Sequence, residues 1–226
     1  MKTFKIRASQ SSKIMTNPRS KSETLSATTK TYCQDWLKEQ LYNRRKEFSS
    51  KYTEKGLIME DNSIDFAMSH LDLGFAVKNE KYFENDFMTG TPDVILEDCI
   101  IDIKNSWSWD TFPLFDTYNK DYFYQAQCYM KLVGLDKFKL IYTLMDTPEY
   151  LVKKETYYFL NSRGEFNQED FEQAFLDIQK KMTYTDIEDK FKIKVFEIER
   201  DDNVIKEIEE RVLLCREYIN ELIKTI

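Results

Sequence analysis

Two short runs carry the chemistry of this chain: Thr91-Pro92-Asp93 and, after eight residues, Asp102-Ile103-Lys104. Each lies in a strand-like stretch, TPDVIL or CIIDIKN, and the dipeptide Glu97-Asp98 separates the two stretches. A two-residue hairpin turn at that dipeptide sets Leu96 opposite Cys99, Ile95 opposite Ile100 and Asp93 opposite Asp102. Side chains alternate along a strand, so Asp93, Asp102 and Lys104 then share one face. Two carboxylates opposed in this way repel each other unless a cation lies between them. Hard divalent cations, Mg²⁺ above all, take such oxygen ligands and keep waters that a substrate phosphate can replace. An ion of that kind lowers the pKa of water and steadies charge at phosphorus, while a lysine beside it orients the attacking water or stabilises developing negative charge. The competing reading is a surface hairpin with solvated charges. It fits poorly with the apolar Ile95, Ile100, Ile101 and Ile103.

Other chemistries find little material. The single histidine, His70, cannot furnish a multi-histidine zinc site or an H-E-x-x-H helix, and the stretch around it, AMSHLDLGF, has no nucleophile-elbow pattern. It reads as a surface residue at a helix end. Cys33, Cys99, Cys128 and Cys215 are scattered without a C-x-x-C pair and read as reduced, buried thiols. No apolar run is long enough to cross a bilayer, and the first residues lack the apolar core of a signal peptide, so a cytoplasmic protein with no membrane partner is expected. The net charge of −7 at first opposes a nucleic-acid partner. Its distribution is uneven: residues 1–58 hold 13 Lys and Arg against 5 Asp and Glu, and residues 59–148 hold 7 against 16. A phosphate-gripping surface beside metal-binding carboxylates would look like this, and so would ordinary surface charge unevenly spread.

The elements that must position these residues can be read from periodicity. A short helix at about Ser11 to Thr16 precedes a loop around Pro18, and helices follow from Thr29 to about Phe48 and from Lys55 to Leu71. Strands fill residues 80–104, and an aromatic loop, SWSWDTFPLFDTYN, comes next. Beyond it the pattern predicts a helix from Asp121 to Val133, a strand from Phe138 to Met145, a helix from Glu169 to Met182, a strand from Phe191 to Ile198 and a closing helix from Asp202 to Ile223. At 226 residues one domain is expected, 1–226, of α/β class with a mixed central β-sheet flanked by helices and with helical additions. Its parts would be a basic N-terminal segment (1–58), a catalytic core (55–145), an insertion (147–190) and a closing strand and helix (191–226).

Gly90-Thr91-Pro92-Asp93 with Asp102-Ile103-Lys104 resembles the signature of the PD-(D/E)XK nuclease superfamily, whose core is restriction-endonuclease-like. Three further stretches extend the likeness, the second of them to its lambda-exonuclease, YqaJ-type and RecB-type branches, and a fourth lies late in the chain. Gly56-Leu57-Ile58-Met59-Glu60 resembles the upstream helix whose glutamate completes the metal site. Gln125-Ala126-Gln127-Cys128-Tyr129 resembles the Q-x-Q and Q-x-x-x-Y motif. Arg7-Ala8-Ser9 with Asn17-Pro18-Arg19-Ser20 resembles the N-terminal segment of phage exonucleases, where a basic residue after the proline tracks DNA. Ile198-Glu199-Arg200-Asp201 before the final helix is also similar to that branch.

The resemblance implies a metal-dependent exonuclease of duplex DNA ends, cutting 5′ to 3′ to leave single-stranded tails for recombination. It implies catalytic Glu60, Asp93, Asp102, Lys104 and Gln125, with a site of Mg²⁺ or Mn²⁺, two ions, held by Glu60, Asp93, Asp102 and the main-chain carbonyl of Ile103. It implies DNA contacts from Arg7, Ser9, Arg19, Gln127 and Tyr129, an annealing protein as partner, a homo-oligomer, and a phage or prophage protein in the cytoplasm of a bacterial host. Trp107 and Trp109, with Phe112 and Phe115, either stack on bases or pack their loop onto the core. A structure- or sequence-specific endonuclease and a non-catalytic DNA-binding module on a nuclease fold are the alternatives. The sequence departs from the branch at Asp102, where glutamate is more usual, and in lacking an evident arginine for the 5′-phosphate upstream, since only Lys2 and Lys5 precede Arg7.

Overall fold

A computed structural model describes residues 2–46, 50–74, 76–164 and 168–226. The central sheet has four strands in the order β4 (Val94–Ile95), β5 (Ile100–Asn105), β6 (Lys137–Thr143) and β7 (Ile193–Glu199). β5 and β6 run parallel, and the flanking pairs are antiparallel, so the sheet is mixed as expected. A smaller sheet in the order β1 (Ile6–Arg7), β3 (Met88–Gly90) and β2 (Phe83–Glu84) leads into the β4–β5 hairpin.

Helices cover both faces of the large sheet. On one face Ile100, Phe138, Leu140 and Ile198 pack with α1 (Ala27–Tyr42), α3 (Lys120–Val133) and α6 (Asp202–Ile223) through Cys33, Leu37, Ala126, Met130, Ile208, Val212 and Cys215. On the other face Ile101, Ile103, Ile141 and Ile193 meet Ile64, Ala67 and Met68 of α2 (Lys51–His70). The first four residues of β5 are buried and apolar except for Asp102, while Lys104 and Asn105 at its end are half-buried.

Local chemistry fixes the ends of these helices. Ser50 caps α2 in a reciprocal box with Thr53, Asn119 accepts from the Asp121 N–H at the start of α3, and Asp201 accepts from Asn203 and Val204 at the start of α6. Gly134 ends α3 in the left-handed conformation, φ 85°, returning its N–H to the Met130 carbonyl.

Several expectations need correction. The early helix is a 3-10 turn at Ala8–Lys13, not Ser11 to Thr16. α1 stops at Tyr42, where Asn43 turns left-handed and bonds the Glu39 carbonyl; the expected end at Phe48 lies outside the described residues. Of TPDVIL, Val94 and Ile95 pair as a strand, since Pro92 has no N–H to give and Asp93 bonds across the hairpin by its side chain. The stretch 147–190 holds two helices, α4 (Glu149–Arg163) and α5 (Gln168–Lys181), where one was expected. Tyr157-Tyr158-Phe159 looks strand-prone, yet Leu151, Val152, Thr156 and Leu160 are buried at helical spacing. Among the described residues no helix is long and apolar enough to cross a membrane.

Candidate active site

The hairpin has the register that a two-residue turn dictates: Ile95 faces Ile100, Val94 faces Ile101, and the Leu96 N–H donates to the Cys99 carbonyl at 2.8 Å. Asp93 stands one step beyond the ladder, where its Oδ2 accepts the Ile103 N–H at 2.8 Å and its carbonyl accepts the Asn79 N–H at 2.7 Å. Both strands are thus pinned at the residues that carry the carboxylates.

Asp102 is 1% exposed and sits on the α3 side of β5. Its Oδ1 accepts from Gln125 Nε2 at 3.1 Å; its Oδ2 lies against the Lys104 ammonium as an ion pair and accepts no well-formed hydrogen bond. Gln125 also reaches the Tyr129 hydroxyl at 3.3 Å, and that hydroxyl donates to the Thr91 carbonyl at 3.1 Å. Gln125 and Tyr129, four apart on one helix, therefore hold both arms of the hairpin, β5 through Asp102 and the Thr91-Pro92-Asp93 run through Thr91.

The electrostatics follow from crowding charges out of water. Burial, and then the charge of Asp102, push the Asp93 carboxyl well above its ordinary value, while Lys104 and the Ile103 N–H act against the rise. Burial alone would lower the Lys104 ammonium, but the charges of Asp102 and Asp93 outweigh it and the group is held strongly protonated. One lysine thus faces two aspartates, and the cluster has a surplus of negative charge. All its donors are hard oxygens, and one buried carboxylate oxygen lacks a hydrogen bond. These features fit a hard divalent cation better than a softer transition metal.

Glu60 was expected to complete that set. It lies close enough for its charge to raise Asp93 further, but its carboxylate pairs with Lys78 at 2.8 Å. Among the described residues no three acidic, histidine or cysteine side chains converge as a ready cation cluster. Glu60 would have to leave Lys78 to join the aspartates.

The expected DNA-contacting residues divide. Gln127 is fully buried, its amide donating to the Glu199 carbonyl at 2.9 Å and accepting from the Asp201 N–H at 2.8 Å, so a DNA contact is replaced by a structural tie to the start of α6. Tyr129 is buried and committed to Gln125 and Thr91, so it too is withdrawn from direct contact. Trp107 packs with Leu151, Val152 and Met182 under the Lys51 ammonium, 4.9 Å from its ring, and Phe112 packs with Leu144 and Tyr184; both belong to the core. Trp109 and Phe115, from the same loop, stand 64% and 95% exposed. Arg7 is half-buried beside Tyr32, and Ser9 and Arg19 are exposed; among the described residues none of the three bonds to Asp93, Asp102 or Lys104. His70 is the exposed last residue of α2, stacked on Phe66.

Two residues went unremarked in the sequence. Tyr122, three residues before Gln125 on the same stripe of α3, places its ring 5.1 Å from the Lys104 ammonium. Lys55 of α2 is fully buried and donates to the Trp107 carbonyl at 2.9 Å, just past the end of β5. Helical spacing from Gln125 points to Tyr122; a lysine among surface-type residues gives no such signal for Lys55.

No protein-family model and no curated protein matches the chain. Solved structures do. The chain is similar to a phage-related exonuclease from Haemophilus somnus 129PT at 26% identity and a TM-score of 0.79, covering 99% of this chain and 97% of that one. It is also similar in fold to the alkaline exonuclease LHK-Exo from Laribacter hongkongensis, at 15% identity and a TM-score of 0.65 over 98% and 90% of the two chains, and to the same enzyme in complex with dAMP, at 16% and 0.66. The fold is that of an α/β nuclease core. These likenesses fit the resemblance to the lambda-exonuclease and YqaJ-type branch of the PD-(D/E)XK nucleases noted in the sequence.

Proposed function

We propose that the chain is a divalent-metal-dependent exonuclease that hydrolyses phosphodiester bonds of duplex DNA from an end. The observation that carries this reading is the juxtaposition of Asp93, Asp102 and Lys104 on one face of the hairpin, with Gln125 and Tyr129 fixing both arms. The similarity to exonucleases over nearly the whole chain supports it.

Asp93 and Asp102, with the Ile103 carbonyl and a displaced Glu60, would hold Mg²⁺ or Mn²⁺, two ions in the form the family resemblance implies. Such an ion, when bound, makes water a stronger nucleophile at neutral pH and offsets charge on the phosphate. The chain's own residues do the rest. Asp102, buried and steered by Gln125, presents its oxygens in one orientation. Lys104, held protonated, donates to a phosphate oxygen as charge builds there. Trp109 and Phe115, exposed beyond the end of β5, would touch bases. Arg7, Ser9 and Arg19 of the basic N-terminal segment are assigned to the DNA backbone. The finer readings belong to the same proposal: 5′ to 3′ direction, tails for a single-strand annealing partner, a homo-oligomer, and action in the cytoplasm of a bacterial host of a phage or prophage. So does the division into one domain with 147–190 as an elaboration of the core.

The test incubates the protein and its Lys104→Ala variant with linear and closed-circular duplex DNA, with and without Mg²⁺. Degradation of the linear form alone, dependent on the metal and lost in the variant, is expected. Cutting of the circle would replace the exonuclease by an endonuclease, and cutting of neither would leave a binding module.

A further inference from the structure

Lys104 has two neighbours of use to an ammonium, and the proposed function employs one of them. The first is the Asp102 carboxylate. The second is the face of Tyr122, whose centroid is 5.1 Å from Nζ, within the range of a cation–π contact. The ring is not loosely placed. Tyr142, the residue directly beside Lys104 in the parallel β5–β6 pairing, meets it edge to face at 6.1 Å and 71°. Phe196 of β7 packs on Tyr142 at 5.9 Å, and Tyr118 packs on Phe196 at 5.5 Å. A row of three aromatics, on β6, on β7 and just before α3, therefore backs the ring that faces the lysine.

The two neighbours become competitors once Asp102 has another task. With a divalent ion held there, the aspartates would share with it the charge that now holds Lys104, and the ammonium would be repelled as well. The lysine then needs a partner that keeps it in the site without accepting its proton or occupying the ion's oxygens. An aromatic face meets both needs, because it attracts the cation through its quadrupole and leaves the N–H groups free to donate.

We propose that Tyr122 is a positioning residue of the nuclease site, its ring holding the Lys104 ammonium in place when Asp102 turns to a metal ion. This rests on the metal-dependent reading of the site given above. The ring, not the phenol hydroxyl, does the work, so Tyr122→Phe should behave as the wild type. Tyr122→Leu removes the aromatic face but keeps apolar bulk on α3. Lys104 is then left with the aspartates alone, Asp102 in contact and Asp93 nearby, and the ion must displace a tighter pairing.

Two measurements separate this role from packing. Calorimetric titration of the DNA-free protein with Ca²⁺ and Mg²⁺ should show affinity weakened about tenfold in Tyr122→Leu and unchanged in Tyr122→Phe. Turnover on linear duplex should fall about tenfold in kcat with KM for DNA within about twofold, again restored by phenylalanine. Tyr122→Met serves as a second non-aromatic variant should leucine lower the melting temperature. Wild-type affinity and kcat in both non-aromatic variants would overturn the proposal, as would equal damage in Tyr122→Phe or a loss confined to KM. A wild type that binds the ion and cuts no DNA, with affinity lost in leucine and kept in phenylalanine, would overturn the exonuclease reading while supporting the role of the ring.

Discussion

Replacing Lys55 by methionine should make the protein more stable at neutral pH, by a margin that shrinks as the pH rises. Lys55 has no exposed surface, and burial lowers its ammonium from the ordinary 10.5 to about 7, with Asp146 opposing the fall only partly. At about 1.36 kcal/mol per pH unit, keeping this group from its proton costs the fold up to about 5 kcal/mol at pH 7. Methionine removes that cost but leaves the Trp107 carbonyl without its donor, a loss of about 1 to 3 kcal/mol, and forgoes the contact with the Tyr184 ring at 5.6 Å, about 1 kcal/mol. The net gain is about 1 to 3 kcal/mol at pH 7. Below about pH 7 Lys55 is protonated in both states and the penalty is present in full. Between about pH 7 and 10.5 the unfolded chain holds a proton that the folded one does not, so wild-type stability rises with pH through that window. Urea unfolding of both proteins at pH 7, 8, 9 and 10 isolates Lys55, because every other titrating group is common to the two. Curves that stay parallel across this range would refute the reasoning, as would a variant less stable at pH 7.

Three substitutions probe the surroundings of the site. In Gly90→Ala the new Cβ would stand 2.5 Å from Tyr129 Cε1 and 3.1 Å from Ala8 Cβ, so thermal melting should show a loss of about 1 to 3 kcal/mol together with reduced cleavage; a neutral result would show that the Tyr129 ring can yield. Gln127→Ala orphans the Glu199 carbonyl and the Asp201 N–H, which should cost about 1 to 3 kcal/mol in stability with DNA affinity unchanged; weaker DNA binding at an unchanged melting temperature would restore the contact argued against above. Trp109→Ala should slow DNA processing more than it lowers the melting temperature, since the ring is 64% exposed, and the reverse outcome would assign it to packing.

Much of the site was legible because its determinants are local. The Glu97-Asp98 turn fixed the hairpin register, strand alternation gave Asp93, Asp102 and Lys104 one face, and the four-residue step from Gln125 to Tyr129 gave α3 its inward stripe. Errors arose where tertiary packing decides. Gln127 and Gln125 look alike in a Q-x-Q motif, but positions two apart on a helix point in different directions, and Gln127 meets the start of α6 while Gln125 meets Asp102. Trp107 and Trp109 are likewise two apart, and α4, which the periodicity did not reveal, covers the first and leaves the second exposed. Nothing local could show that Glu60 pairs with Lys78, because Lys78 lies beyond the end of α2.

The grip of α3 on both arms of the hairpin has a consequence for how the protein can vary. Asp102 is located by Gln125, and the segment bearing Asp93 by Tyr129, so the spacing of the two carboxylates is set by one turn of a helix, a rigid ruler of about 5.4 Å pitch. The Glu97-Asp98 turn sets the same register from the far end of the hairpin, so two independent constraints act on it. Extra residues inserted there would lengthen a loop at small entropic cost while the ruler keeps the carboxylates in register. The tip of this hairpin is therefore open to insertion, whereas a single residue added between Gln125 and Tyr129 would rotate one gauge mark off the other and dismantle the site.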